Sequence, residues 1–336
     1  FKKIGMTALA ASLVSTSVFA GEMSVTGSAG INWENYSGTT HAQSFENKDS
    51  TKSFSMGNQL TFTGSGELDN GMNVSLSFVL DQNDDSSAAG SANSGAPFDS
   101  HSVSISSDAM GTLVFHGEGG DSAQNAVGDT AAGNIWDNFD TRTTGAATLS
   151  ESAAGDNIMH YTLPSMVDGL TVAASYTPAG AKDESSNAYA LTYAGVEGLS
   201  ISYGQGSSDG QVAGSGGATA NADTTSMKAS YVYGPVTLAY SDHEHDSNTD
   251  TSDQDAKSMK ISYAITDDVS VSYATDEIDS NASATNVDAE YTKIVGSYTS
   301  GGMTVSANYQ EAENMAFSTA TSEDEEYVGL SLSFAF

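Results

Sequence analysis

The sequence predicts an all-β chain: a sixteen-stranded antiparallel transmembrane β-barrel with short periplasmic turns, long extracellular loops and an inward-folded third loop. Three observations predict it. The last eleven residues, Glu326 to Phe336, place Val328, Leu330, Leu332, Phe334 and Phe336 on one parity and Gly329, Ser331, Ser333 and Ala335 on the other, which is an extended strand with one greasy and one small, polar face. The same pattern recurs sixteen times, and nothing is left over to form a second layer. The connections alternate between seven short and eight long ones, so all turns gather at one end and all loops at the other.

Composition agrees. With 38% hydrophobic and 9% aromatic residues, 34 glycines and a net charge of -33, a large packed interior is hard to build, and a hollow or heavily solvated protein is expected. There are no cysteines, which excludes disulfides and thiolate metal sites. The acidic balance argues against nucleic acid as a partner, since phosphates would be repelled.

Residues 1–20 carry Lys2 and Lys3, an apolar and small-residue run from Ile4 to Val14, and Val18-Phe19-Ala20 in the form of a cleavage site; they are expected to be a signal peptide, although residue 1 is Phe where an initiator Met is expected. Removing them would take the net charge from -33 to -35, since two lysines and no acids go with them. The barrel domain is then 21–336, with 118–155 as a constriction loop. Nothing else in the chain is a long apolar segment of the kind that spans a membrane as a helix.

The strands follow in order. Met23, Val25, Gly27, Ala29, Ile31 and Trp33 mark the first, Phe54, Met56, Leu60 and Phe62 the second, and Met72, Val74, Leu76, Phe78 and Leu80 the third. Val103 and Ile105, then Leu113 and Phe115, mark the fourth and fifth; Met159, Tyr161 and Leu163 the sixth, after a long gap; and Leu170, Val172, Ala174 and Tyr176 the seventh. Tyr189, Leu191 and Tyr193 are followed by Leu199, Ile201 and Tyr203, by Met227, Ala229, Tyr231 and Tyr233, and by Val236, Leu238 and Tyr240. Met259, Ile261, Tyr263 and Ile265, then Val269, Val271 and Tyr273, Ile294, Gly296 and Tyr298, and Met303, Val305, Ala307 and Tyr309 lead to the terminal strand. Asp69-Asn-Gly71, Asp108-Ala-Met-Gly111, Gly195-Val-Glu-Gly198, Gly234-Pro235, Thr266-Asp-Asp268 and Ser300-Gly-Gly302 are tight hairpin turns, with a slightly longer one around Ser165 to Gly169, whereas the other connections are long, acidic and rich in Ser, Asn and Gly.

An open sheet of this size would leave edges, and its apolar face would meet water; closure removes the first problem and lipid the second. At this strand number the interior is too wide for side chains to fill and holds water. Tyr176, Tyr203, Tyr240, Tyr273 and Tyr309 are expected to end upward strands and Tyr193, Tyr233, Tyr263 and Tyr298 downward ones, forming two interfacial belts. Phe336 is expected to close the barrel by pairing the terminal strand with the first.

Three stretches carry a family resemblance: Val103-Ser-Ile-Ser-Ser-Asp-Ala-Met-Gly-Thr-Leu-Val-Phe-His-Gly-Glu118, Asp156-Asn-Ile-Met-His-Tyr161 and Leu330-Ser-Leu-Ser-Phe-Ala-Phe336. The chain resembles a general bacterial outer-membrane porin of the sixteen-stranded, trimeric kind found in purple non-sulfur bacteria. The resemblance implies a homotrimer in the outer membrane of a Gram-negative bacterium, surrounded by outer-membrane lipid. It also implies a water-filled channel for passive diffusion of ions and small hydrophilic solutes, narrowed by the third loop.

That loop, Glu118 to Gly155, is the longest connection, and Ile135, Trp136 and Phe139 within it are suited to pin it to the inner wall. In the family, acids on the loop face basic groups on the wall. The acids here are Glu118, Asp121, Asp129, Asp137 and Asp140, and inward parity selects Lys228, Lys260 and Lys293, expected to face the loop from the far side of the ring. The family's arginine cluster near the early strands has no match, and Arg142 sits on the loop itself. The summed charge favours cation preference.

Asp246-Ser-Asn-Thr-Asp250 opens like a calcium loop, but Thr251 replaces the required Gly and Lys257 the bidentate Glu, so the carboxylates of Asp242 to Asp255 are suited at most to loose binding of divalent cations such as calcium. His243 and His245 lack a third ligand. His116 and His160 share inward parity beside the third loop, as titratable groups or as hydrogen-bond partners of it. No nucleophile motif, phosphate-cradling Gly loop or spaced carboxylate pair points to an enzyme or a cofactor. The competing readings are a structural or adhesive barrel with acidic surface loops, and a substrate-specific channel, which would want a line of inward aromatics.

Overall fold

The computed structural model describes residues 21–37, 52–81, 99–142, 156–178, 185–208, 222–247, 253–280, 287–317, 319 and 324–336. The expected signal peptide, the part of the constriction loop from 143 to 155 and the side chain of Asp140 lie outside them.

Sixteen strands form the chain's framework: β1 Glu22–Ser37, β2 Lys52–Glu67, β3 Asn73–Asp81, β4 Ser100–Ser107, β5 Gly111–Glu118, β6 Ile158–Thr162, β7 Leu170–Thr177, β8 Ser186–Val196, β9 Leu199–Ser208, β10 Ala222–Tyr233, β11 Val236–Ser247, β12 Gln254–Ala264, β13 Val269–Ser280, β14 Ala289–Ser300, β15 Met303–Glu313 and β16 Glu325–Ala335. Each pairs antiparallel with its sequence neighbours, and β1 pairs with β16, so the sheet is a closed barrel without edges. Closure satisfies every strand's ladder within the wall, which is what hydrocarbon demands.

The register carries the predicted alternation around the ring, with local shifts among the described residues only in the β4–β5 pair at His101/Ser102 and in the β8–β9 pair at Tyr193/Val196. Leu238, Ile261, Tyr273 and Ile294 stand on the outer face of adjacent strands, exposed to the surroundings. Hydroxyls pair across strands on the inner face: Ser75 with Ser104 at 2.6 Å, Ser270 with Ser297 at 2.8 Å and Ser306 with Ser331 at 2.6 Å. Such pairs let a wet wall hold itself together without apolar packing. The apolar clusters among buried residues instead involve the third connection, as the site below makes clear.

Of the upper tyrosines, Tyr176 ends its strand as expected, but Tyr203, Tyr240, Tyr273 and Tyr309 do not. β11 continues past Tyr240 to Ser247, β13 past Tyr273 to Ser280 and β15 past Tyr309 to Glu313, and the outward positions there become Asp242, Glu244, Asp246, Glu277, Asp279, Glu311 and Glu313. Backbone pairing is indifferent to what lies outside the wall, so the ladder rises beyond the lipid level and only the outward side chains change from apolar to charged. Outward tyrosines run from Tyr161 on β6 to Tyr309 on β15; β16 and β1 to β5 carry none among the described residues.

Candidate channel constriction

Beyond β5 the chain turns into the barrel and follows its inner wall. A first 3-10 turn, Ala123–Ala126, lies against β7, β8 and β9, where Ala173, Ala188 and Ala190 present only methyl groups. Gly204 on β9 is part of the same seat: a Cβ there would stand 3.0 Å from both Cγ and the carbonyl oxygen of Gln124. Ala123 N donates to Ser175 Oγ at 2.8 Å. The Gln124 amide is held at both ends, accepting from Thr224 Oγ1 at 2.6 Å and donating from Nε2 to Ser226 Oγ at 3.0 Å.

Further along, the loop hangs by its own backbone. Ala131 N and Ala132 N donate to Ser241 Oγ and Ser258 Oγ, each at 2.8 Å, and Ile135 N donates to Asp276 Oδ2 at 2.7 Å. Ser241, Ser258 and Asp276 are register partners on β11, β12 and β13, so one row across the wall supplies successive acceptors. Buried amides need such partners, and inward serines and one carboxylate provide them. Between these points Thr130 and Asn134 exchange bonds of 3.0 Å, with Asn134 at φ 43, and Asn134 Nδ2 donates to Asp129 Oδ1 at 3.0 Å.

A longer 3-10 segment, Ile135–Arg142, completes the seat. Ile135, Trp136 and Phe139 are buried with Tyr291 of β14, Tyr36 of β1, Tyr327 of β16, Met315 and Phe317. Ring centroids stand 6.5 Å apart for Trp136 and Tyr291 and 5.9 Å for Phe139 and Tyr291, while Tyr36 and Tyr327 meet edge to face at 4.8 Å. Asn138 Nδ2 donates to Gln310 Oε1 on β15 at 3.0 Å. The three apolar residues picked from the sequence thus pin the loop.

The charged candidates divide. Glu118 is the last residue of β5, paired with His101 of β4 past a register shift, with Oε2 3.7 Å from His101 Nδ1. Asp121, Asp129 and Asp137 are all exposed along the loop. Lys228, Lys260 and Lys293 point inward from β10, β12 and β14 and remain partly exposed. Their expected place across the ring from the loop is not what is found: Lys228 Nζ donates to the Asp129 carbonyl at 2.8 Å, so the lysines stand on the arc the loop itself covers. Parity selects inward positions but not the arc; that was decided by hydroxyls and small residues on β7 to β13, which make the seat.

The arc left uncovered is β2 to β6 with the part of β1 on the turn side of Tyr36, whose ring joins the loop's cluster. Its inward residues include Asn32, Ser55, Gln59, Thr61, Ser75, Ser77, Ser102, Ser104, His116 and His160, with no inward Lys or Arg among the described residues. His116 and His160 lie one pleat apart, His160 opposite Val114 and His116 opposite Ile158. A narrowed, hydroxyl-lined passage therefore runs between this wall and the loop. His243 and His245 are inward and buried on β11, the former with Nδ1 3.0 Å from Ser226 Oγ, and no group of three or more His, Cys, Asp or Glu is placed to hold a metal ion among the described residues.

Sequence reasoning missed the loop's anchors, Gln124, Ser226, Ser241, Ser258, Asp276 and Gln310. Only Asp276 carried a signal, as an acid at inward parity between Ala274 and Ile278.

Comparison with known proteins places this geometry. Residues 5–336 match the family model described as Gram-negative porin. Among solved structures, an anion-selective porin from Comamonas acidovorans superposes with a TM-score of 0.68 at 15% identity, covering 94% of this chain and 100% of that one. A triple mutant of Rhodopseudomonas blastica porin gives 0.63 at 15% identity over 94% and 100% of the two chains, and in-vitro folded OmpT, an outer membrane protein of Vibrio cholerae, gives 0.65 at 13% over 96% and 100%. No curated protein sequence matches. With a family match over nearly its whole length and a closed sixteen-stranded wall narrowed from within, the chain belongs to the Gram-negative porin family, bacterial outer-membrane channels for passive diffusion.

Proposed function

We propose that the passage prefers cations and that the protein works as a homotrimer. The observation that carries the first reading is charge: 43 acidic against 10 basic residues, with outward acids such as Asp242, Glu244, Glu277, Glu290, Glu311 and Glu326 ringing the wall above the tyrosine belt. A low-dielectric rim focuses their summed field on the mouth, concentrating cations there and depleting anions. Beneath the mouth, Asp121, Asp129 and Asp137 of the third loop are partly balanced by Lys228, Lys260 and Lys293, so the mouth sets the sign. Anion selectivity belongs to the Comamonas porin by its name, and at 15% identity that likeness carries the fold alone.

The trimer reading rests on the gap in the outer belts. Tyrosines favour the lipid headgroup level, and an arc from β16 to β5 without outward tyrosines fits a surface covered by neighbouring barrels. Zero-current potentials across a potassium chloride gradient in planar bilayers test the selectivity, with the sign for cations expected and the opposite sign overturning it. Native gel mobility before and after heating tests the assembly; a monomer at all temperatures would defeat it.

A further inference from the structure

We propose that Lys260 and Lys293, with Lys228 beside them, form a transient subsite for doubly charged oxyanions, dicarboxylates or phosphate, on the turn side of the third loop. The inference rests on the channel reading and goes beyond the preference set at the mouth.

Placement is the first argument. The loop hangs from the row Ser241, Ser258 and Asp276, and one pleat towards the turns the next row reads Ala239, Lys260, Ala274, Lys293 and Gln310. Lys260 and Lys293 are thus two strands apart, roughly 10 Å between backbones at the usual ~4.8 Å strand spacing. Ala274 between them contributes only a methyl group and is buried in the apolar cluster that seats the loop, so the two lysines flank that seat on one ledge. Lys228 belongs to the upper row, opposite Ser241, where it caps the Asp129 carbonyl and adds its charge from above.

Availability is the second. Among the described residues neither Lys260 nor Lys293 is in an ion pair or a hydrogen bond, and both are partly open to the lumen. Asp129, Asp137 and Asp276 act on Lys293 only from longer range, and one Asp276 oxygen is engaged by Ile135 N. Two ammonium groups on flexible stems, held on the same ledge with a third charge nearby, suit an anion that can engage both at once. Chloride engages one at a time and is held weakly, whereas the second contact of a dianion is effectively intramolecular. Solutes reaching this ledge from the turn side do not cross the acidic mouth.

The test uses single channels of the whole protein in planar bilayers at constant ionic strength in potassium chloride, with potassium succinate or inorganic phosphate at pH 7.5 added to one side and then the other. Concentration-dependent block by either anion, stronger from one side, is expected; block by both assigns the site to charge alone, and block by one narrows the chemistry. The double variant Lys260→Gln with Lys293→Gln should weaken the block about tenfold, the loss of one to two exposed charge-assisted contacts, while Lys260→Arg should retain it. Normal potassium chloride steps without block by either anion, or block unchanged in the double variant, would overturn the proposal while leaving the channel reading intact. An absence of steps altogether would defeat the channel reading, and this inference with it.

Discussion

Phe336 and Gly27 exchange both backbone hydrogen bonds, at 2.7 and 2.9 Å, and the Phe336 ring lies where a Gly27 side chain would begin, 2.7 Å from the position of its Cβ. The contact is the last stitch of the seam between β16 and β1. It also gives Gly27 a role in closing the barrel.

Deleting Phe336, or replacing Gly27 with Val, should therefore lower the amount of folded barrel. The valine must displace the ring or Leu60, whose Cδ2 stands 2.8 Å from the same point, at a cost of about 1–3 kcal/mol. Heat-modifiable mobility on gels measures it, and equal folded fractions in all three proteins would refute the seam's importance.

Asp276→Ala should loosen the loop and spare the wall. It leaves Ile135 N buried without its acceptor, a penalty of about 1–3 kcal/mol. The expected result is noisier single-channel current with more sub-levels, at unchanged heat-modifiability; a quiet, unaltered channel would count against the anchor.

Gly204→Val addresses the other end of the seat. Its side chain would press on Gln124, unseating the first 3-10 turn and disturbing the bonds to Thr224 and Ser226. Conductance should change, and Gln124→Ala should change it in the same direction with no new bulk introduced. Opposite directions for the two variants would contradict a shared mechanism.

For selectivity, Asp129→Asn with Asp137→Asn should reduce cation preference, and Lys228→Gln with Lys260→Gln should increase it. The unmodified channel's preference should also fall as salt rises, because entrance charges act over a Debye length of about 8 Å at physiological salt and about 3 Å at 1 M. Zero-current potentials at two salt levels read all of this; a preference independent of salt would place its origin in the narrow passage, away from the rim.

The wall was legible because its period is strict: each strand repeats one two-residue rule, and lipid on one side and water on the other impose it without help from distant residues. Trp136, Ile135 and Phe139 were legible for the opposite reason, as apolar residues in a polar stretch that had to find shelter. The loop's course was not, since Ser241 and Ser258 look like every other inward serine until the chain segment that uses them is laid on top. The same limit misplaced the lysines, whose parity is correct and whose arc depends on that course.

The third loop is fastened largely through main-chain amides of Ala123, Ala131, Ala132 and Ile135, so the mounting does not depend on which side chains the loop presents to the passage. Exposed positions such as Asp121 and Asp137 can then drift under selection, or be rewritten by an engineer, like an interchangeable filter on a fixed frame. Adaptation to new nutrients would require few substitutions and little loss of rigidity.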